Sequence, residues 1–289
     1  MTIIQSFLLG IIQGIAEFLP ISSSGHLEIA QFCFGLEDMP ILFDLFLHLA
    51  TLAAVCIFFR HKIWALLKCF GRWITRREKN ITDYANNDQD ILCNNEKQGH
   101  ETIIAIIIST IVTAVIGLVV DKFLPHFSLK LISFGFIITS VLLILSAKKQ
   151  QSPTYIKETA NPETSTKGIT PKQAVIIGLM QGAGTIPGIS RSGSTISAAL
   201  FCNIDRKTAG DYSFIISIPA ILGAFILELK DLGKLSSSIS ILPIVVGCLT
   251  SFFVGYGALT VLMKLIRKGK LQWFSLYLIP AGILGMIFL

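Results

Sequence analysis

Six runs of mostly apolar residues, 41–59, 102–120, 128–147, 212–229, 239–263 and 273–289, limit this chain's fold more than any other feature of its sequence. Crossing roughly 30 Å of hydrocarbon takes about 20 residues of helix, and each run is close to that length. Hydrocarbon offers no partner to backbone N–H and C=O groups, so such runs must satisfy them internally, as helices. With 52% hydrophobic residues and only 15% charged, the chain has too little polar surface for a soluble globule. An all-α integral membrane protein is expected. The first apolar segment follows Met1 and Thr2 with no basic lead-in, so a cleaved signal peptide is not expected.

Two further apolar regions, 3–34 and 171–201, are each interrupted near the middle. The first interruption reads Glu17-Phe-Leu-Pro-Ile-Ser-Ser-Ser-Gly-His26 and the second Pro187-Gly-Ile-Ser-Arg-Ser-Gly-Ser-Thr195. Setting Gly10 against Gly178 without gaps pairs Gln13 with Gln181, Gly14 with Gly182, Ile21 with Ile189, Ser22 with Ser190, Ser24 with Ser192 and Gly25 with Gly193. The chain is therefore duplicated. The half-helices beside each break are too short to span alone, so each broken region is expected to enter and leave on one side. Each copy then crosses three more times, an odd number, and the second copy is inverted relative to the first. The expected fold is six transmembrane helices plus two re-entrant helical hairpins in an inverted-topology repeat. Residues 1–147 form the first repeat, with its hairpin at 1–35 and a cytoplasmic loop at 60–101. A cytoplasmic linker, 148–171, leads to the second repeat, 172–289, with its hairpin at 172–201; together they make one membrane domain.

The net charge of +6 agrees with this topology. With both termini outside, the inner loops carry nineteen Lys and Arg residues and the outer segments only Lys122, Lys130, Lys230 and Lys234, as the positive-inside rule requires. The basic residues flank apolar spans and form no basic face with interleaved aromatics, so no nucleic-acid partner is expected. Residues 61–75 place apolar side chains at helical spacing around Lys68 and Arg72, which reads as an interfacial helix; the Asn-rich stretch after it and residues 150–170 read as polar connectors. Six cysteines without CxxC spacing suggest neither a disulfide framework nor a metal cluster.

Two re-entrant tips entering from opposite faces would meet near the midplane, each followed by a helix whose free N–H groups attract an anion. Ser22, Ser24 and Gly25 in one tip, and Ser190, Ser192, Gly193 and Thr195 in the other, suit a phosphate. Where the copies differ, chemistry can divide: Arg191 offers a planar charged fork for phosphate oxygens, and Ser23, which it answers in the other copy, is the chosen nucleophile. Glu17 fits a general base toward a serine hydroxyl, or a divalent-cation ligand together with Gln13 one turn before it. His26 sits near the start of the second half-helix, where it can exchange a proton. Asp44 and His48, one turn apart in the first span, are assigned to packing or a supporting role.

These residues resemble bacterial undecaprenyl-pyrophosphate phosphatases of the bacitracin-resistance type, over nearly the whole chain. One family signature matches Gln13 to His26 and another Pro187 to Thr195. The resemblance implies hydrolysis of undecaprenyl diphosphate to the monophosphate, recycling a lipid carrier for peptidoglycan synthesis. It implies Mg2+ or Ca2+ as cofactor, and Glu17, Ser23, His26 and Arg191 as catalytic residues with Ser190 and Thr195 at the phosphate. It further implies a bacterial cytoplasmic membrane, lipid and undecaprenyl diphosphate as partners, bacitracin as an antibiotic sharing that substrate, and room for a homodimer. Gln13 stands where many members have Glu, which weakens a metal site there. Inverted repeats are also the plan of transporters, so a carrier or flippase for a prenyl phosphate or another phosphorylated anion is the second reading. The asymmetric set of Glu17, Ser23, His26 and Arg191 favours an enzyme, since a carrier needs no nucleophile.

Overall fold

A computed structural model describes residues 1–36, 41–75, 92, 96–123, 127–160, 168–228 and 241–289. Most of the Asn-rich stretch, part of the polar linker, Cys93, Lys230 and Lys234 lie outside them. Among the described residues there is no strand, and none of the five described cysteines is in a disulfide.

The first broken region forms α1 (Ile3–Phe18) and α2 (Ser23–Cys33), and the second forms α8 (Pro171–Ala183) and α9 (Arg191–Phe201). Both pairs fold back as hairpins, and in the same way. Gln5 Nε2 at the start of α1 donates to the Phe34 carbonyl just past α2 (3.4 Å), and Gln173 Nε2 at the start of α8 donates to the Cys202 carbonyl just past α9 (3.0 Å). Each first helix opens with a capping box, Thr2 with Gln5 and Thr170 with Gln173, which satisfies orphan N–H groups at its start. The duplication therefore extends to the helix caps.

The spans are α3 (Ile41–Phe58), α5 (Glu96–Phe123), α6 (Leu129–Gln150), α10 (Arg206–Glu228), α11 (Ile241–Arg267) and α12 (Ser275–Phe288), the last preceded by a 3-10 turn at Leu271–Phe274. Five of these regions are long and apolar enough to cross a membrane on their own. The helix α3 reaches that length only together with α4 (Arg60–Thr75), from which it is bent by 80°. Trp64, Leu67, Phe70, Trp73 and Ile74 are exposed along α4 while Leu66 and Cys69 are buried, as suits a helix lying in an interface. Lys68 Nζ sits 5.4 Å from the Trp64 ring. A short helix, α7 (Pro153–Ala160), follows α6 and docks through Tyr155, whose hydroxyl donates to the Ile204 carbonyl (3.1 Å). Burial pushes that phenol up to about 12, so it stays a donor at neutral pH.

Side-chain bonds fix the sidedness. The Lys62–Asp211 ion pair joins the start of α4, just past the end of α3, to the start of α10, and the Arg206–Gln150 bond joins the start of α10 to the end of α6. The second hairpin opens beside them, through Cys202, whereas the first opens toward the start of α3, at the other end. The hairpins thus enter from opposite faces. Arg60, Lys62, Lys148, Lys149, Arg206, Lys207, Lys264 and Arg267 collect at one face, and Lys122 and Lys130 at the other.

The repeats are interleaved. The first hairpin's α1 packs on α11 of the second repeat, and the second hairpin's α8 packs on α5 of the first. Small residues permit this: a Cβ on Gly10 would lie 2.6 Å from the Gly247 carbonyl oxygen, and one on Gly178 would lie 2.9 Å from Ser109 Cα.

Candidate active site

The two tips meet. Ser192 Oγ in the second donates to the Phe18 carbonyl in the first (3.0 Å), and the Arg191 guanidinium pairs with Glu17 Oε1. Each tip caps its own second helix: Ser22 Oγ accepts from Gly25 N (3.4 Å) and Ser190 Oγ from Gly193 N (3.1 Å). The first-turn N–H groups of α2 and α9 are thereby brought toward one another, a concentration of positive dipole suited to phosphate.

Glu17 is the hub. Its side chain is 3% exposed, and its second oxygen, Oε2, accepts from Ser23 Oγ (2.7 Å) and Gln13 Nε2 (3.1 Å) and lies 3.3 Å from His48 Nε2. A carboxylate this deep needs its charge met; the guanidinium and two hydrogen-bond donors do so. His48 Nδ1 lies 2.8 Å from the Asp44 carbonyl oxygen, which only accepts, so that nitrogen carries a proton. Gln31 Nε2 in turn donates to Asp44 Oδ1 (2.7 Å).

Glu17, Ser23, Ser24, His48 and Arg191 line one cavity of about 210 Å³. Its other wall comes from the second repeat and from α5: Gln181, Gly184, Thr185, Ile189 and Thr113, with Leu45, Ala220, Ile221 and Ala224 as its apolar side. The apolar side belongs to the first half of α3 and the later part of α10. At 1.5 Å per residue, Ala224 stands about 27 Å along α10 from the basic face, so the cavity lies in the opposite half of the protein.

Of the residues singled out by sequence, Glu17, Ser23, Ser24 and Arg191 are brought together around this cavity. Ser22, Ser190, Ser192, Gly25 and Gly193 build the tips. Thr195 Oγ1 is buried against Ser213 and the Arg191 carbonyl. His26 is turned away toward α6 and α12: its ring stacks on Phe136 (4.8 Å between centroids) and its Nε2 lies 2.7 Å from the Tyr277 hydroxyl. The histidine at the cavity is His48, to which the sequence assigned only packing or support. Thr185 and Gln181, the repeat partners of Glu17 and Gln13, also line the cavity; the duplication pairs these positions, but neither was given a role at the site.

Comparisons with known proteins identify the family. A family model described as bacitracin resistance protein BacA matches residues 6–284. The undecaprenyl-diphosphatase of Treponema denticola is 47% identical, over 98% of this chain and 96% of its own. Those of Desulfosudis oleivorans and Borrelia recurrentis are 38% and 35% identical over 96% of this chain, and over 96% and 95% of their own lengths. With a family match over nearly its whole length, and the motifs that carry the likeness folded around one buried carboxylate, this chain belongs to the bacitracin resistance protein BacA family.

Proposed function

We propose that this protein hydrolyses undecaprenyl diphosphate to undecaprenyl phosphate and inorganic phosphate, with Ser23 as the attacking group and Glu17 as its base. The observation that carries this reading is the 2.7 Å hydrogen bond from Ser23 Oγ to Glu17 Oε2, in a cavity that also holds Arg191. The substrate class comes from the relatives named undecaprenyl-diphosphatase. A carrier would need phosphate donors but neither this hydroxyl nor its base.

The Ser23 proton passes to Glu17 as Oγ bonds to the terminal phosphorus. The bridging P–O bond breaks, and its electron pair leaves on the prenyl phosphate. A phosphate with its second pKa near ~6 departs without obligatory protonation. Glu17 passes the proton on to the departing prenyl phosphate and, ionised again, takes a proton from the water that attacks the phosphoserine. The Ser23 Oγ–P bond breaks, inorganic phosphate leaves, and Ser23 Oγ recovers its proton from Glu17. Arg191, released from Glu17 by the incoming phosphate, neutralises the equatorial oxygens together with the N–H groups of the two tips. The cavity suits a diphosphate headgroup and is too small for a long prenyl chain, which would leave along its apolar side, lined by Leu45, Ala220, Ile221 and Ala224, into lipid.

The donors present fit a divalent cation of a particular kind. Among the described residues no three His, Cys, Asp or Glu side chains cluster, but Gln13 Oε1 is fully buried beside Glu17 without a partner. Mg2+ commonly binds through one carboxylate plus substrate phosphates, so Glu17 and Gln13 would hold an ion that arrives with the diphosphate. That ion would add charge neutralisation at the phosphates. Gln13→Glu would set two carboxyl groups about 3 Å apart, where both ionise only with a cation between them. It is expected to lower the Mg2+ concentration giving half-maximal activity several-fold, and to lower the unfolding midpoint in chelator.

The basic face is assigned to the cytoplasm of a bacterial cytoplasmic membrane, with both termini and the cavity toward the outside. Purified protein in detergent is expected to release inorganic phosphate from a prenyl diphosphate. No release by the wild type, together with its transport in liposomes, would overturn the reading.

A further inference from the structure

The two tips share a sequence pattern but not a backbone. Ser22 has φ 73° and ψ 98°, whereas its repeat partner Ser190 has φ −71° and ψ 119°. A non-glycine residue on the positive side of φ is strained and persists only where its surroundings hold it. Ser22 directly precedes Ser23, so its conformation sets where the Ser23 hydroxyl points.

What holds it is His26. The Ser22 carbonyl accepts from His26 twice, from the backbone N–H (3.2 Å) and from the ring Nδ1 (2.8 Å). The ring is fixed in turn by Phe136 on one element and Tyr277 on another, with the Tyr277 hydroxyl 2.7 Å from Nε2. A carbonyl only accepts, so Nδ1 carries the proton, and the neutral ring then takes the Tyr277 O–H at Nε2. In the relaxed tip the matching residue is Ser194. Its backbone N–H reaches the Ser190 carbonyl (2.9 Å), but its buried hydroxyl has no hydrogen-bond partner. The strained tip has a side-chain clamp and the relaxed tip has none.

We propose that Tyr277 and His26 are a positioning pair: Tyr277 orients the His26 ring, His26 Nδ1–H holds the Ser22 carbonyl, and the strained turn so held aims Ser23 at Glu17. This rests on Ser23 being the attacking group. His26 then works from outside the cavity, through the backbone, and Tyr277 of α12 becomes part of the catalytic apparatus although it touches no reacting atom.

Two amides that each copy one ring nitrogen test the pair. His26→Asn puts an N–H near the position of Nδ1 and keeps the clamp; His26→Gln reaches toward Tyr277 and loses it. Since a misplacement of about 1 Å can cost 10²-fold, His26→Gln is expected to lower kcat by about that factor with KM little changed, while His26→Asn stays within about tenfold of wild type. Tyr277→Phe is expected to cost several-fold in the wild type and nothing more beside His26→Asn, because interacting positions are not additive. Equal loss in the two amides, or an undiminished Tyr277→Phe effect in the Asn background, would overturn the clamp. A measurement independent of turnover separates this from the function itself. In protein labelled with 15N-histidine, the resonance lost in His26→Asn is expected to be the Nδ1–H neutral tautomer, and to move toward Nε2–H in Tyr277→Phe. An Nε2–H tautomer in the wild type would remove the clamp whatever the protein hydrolyses, and absence of phosphate release would remove the hydrolase reading alone.

Discussion

Ser23→Ala is expected to lower kcat for phosphate release by about 10³-fold, within the range that a positioned proton transfer to a base contributes, with KM nearly unchanged. The Ser23 hydroxyl donates straight to Glu17, and nothing else at the cavity offers Glu17 a hydroxyl. Folding should be weakened but not lost. Glu17 keeps Arg191, Gln13 and His48 around it, and one lost hydrogen bond to a retained carboxylate costs about 1–3 kcal/mol. Ser24 supplies the control, since it lines the same cavity but its hydroxyl meets Ser22 Oγ, at 3.5 Å, rather than Glu17. Ser24→Ala should lose no more than about tenfold, the scale of one neutral hydrogen bond. Steady-state phosphate release by the two variants decides it, and equal losses would remove Ser23 from its role.

The second large effect concerns Arg191. Its pairing with Glu17 has a purely structural reading, in which each charge exists to neutralise the other. Breaking a buried pair from one side leaves the other charge uncompensated and costs about 3–5 kcal/mol. Arg191→Ala is therefore expected to lower the unfolding midpoint as well as to abolish measurable turnover. Adding Glu17→Gln removes the stranded carboxylate, so the double variant should recover most of the lost stability and none of the activity. Arg191→Lys separates the roles further. It keeps the charge near Glu17 but loses the planar fork, and should fall about 10²–10³-fold in kcat, the scale of one lost donor at a developing oxyanion, while remaining folded. Thermal unfolding in detergent beside phosphate release would distinguish these outcomes. A Lys variant at full activity would mean that Arg191 serves the fold alone.

Much of this was legible in the chain because hydrocarbon leaves few options. Long apolar runs had to become helices, and a Pro/Ser/Gly break inside an apolar region had to become a paired turn with its polar groups covered. The gapless match of Gly10 with Gly178 already implied two hairpins of one design, and the odd number of crossings implied that they face opposite ways. An arginine in one duplicated tip and a glutamate in the other, both set in apolar surroundings, pointed to the pair at the centre of the site. The matching bonds from Gln5 to Phe34 and from Gln173 to Cys202 carry that symmetry down to single side chains.

Spacing along a helix could not say which way the chain turns at a break. At Ser22 and Ser190 equivalent serines take different backbone conformations, and that difference turns His26 toward Tyr277, 251 residues away, instead of into the cavity. The place at Glu17 goes to His48, on α3, a separate helix that tertiary packing sets against α1. The cavity's position in the half away from the basic face follows from how α3 and α10 lie against the tips. The sequence by itself determined the elements, their duplication and the chemical types at the tips, because burial in lipid and backbone hydrogen bonding act locally. Only the tertiary structure decided which of those side chains share a cavity, because that depends on one strained dihedral and on contacts between residues far apart in the chain.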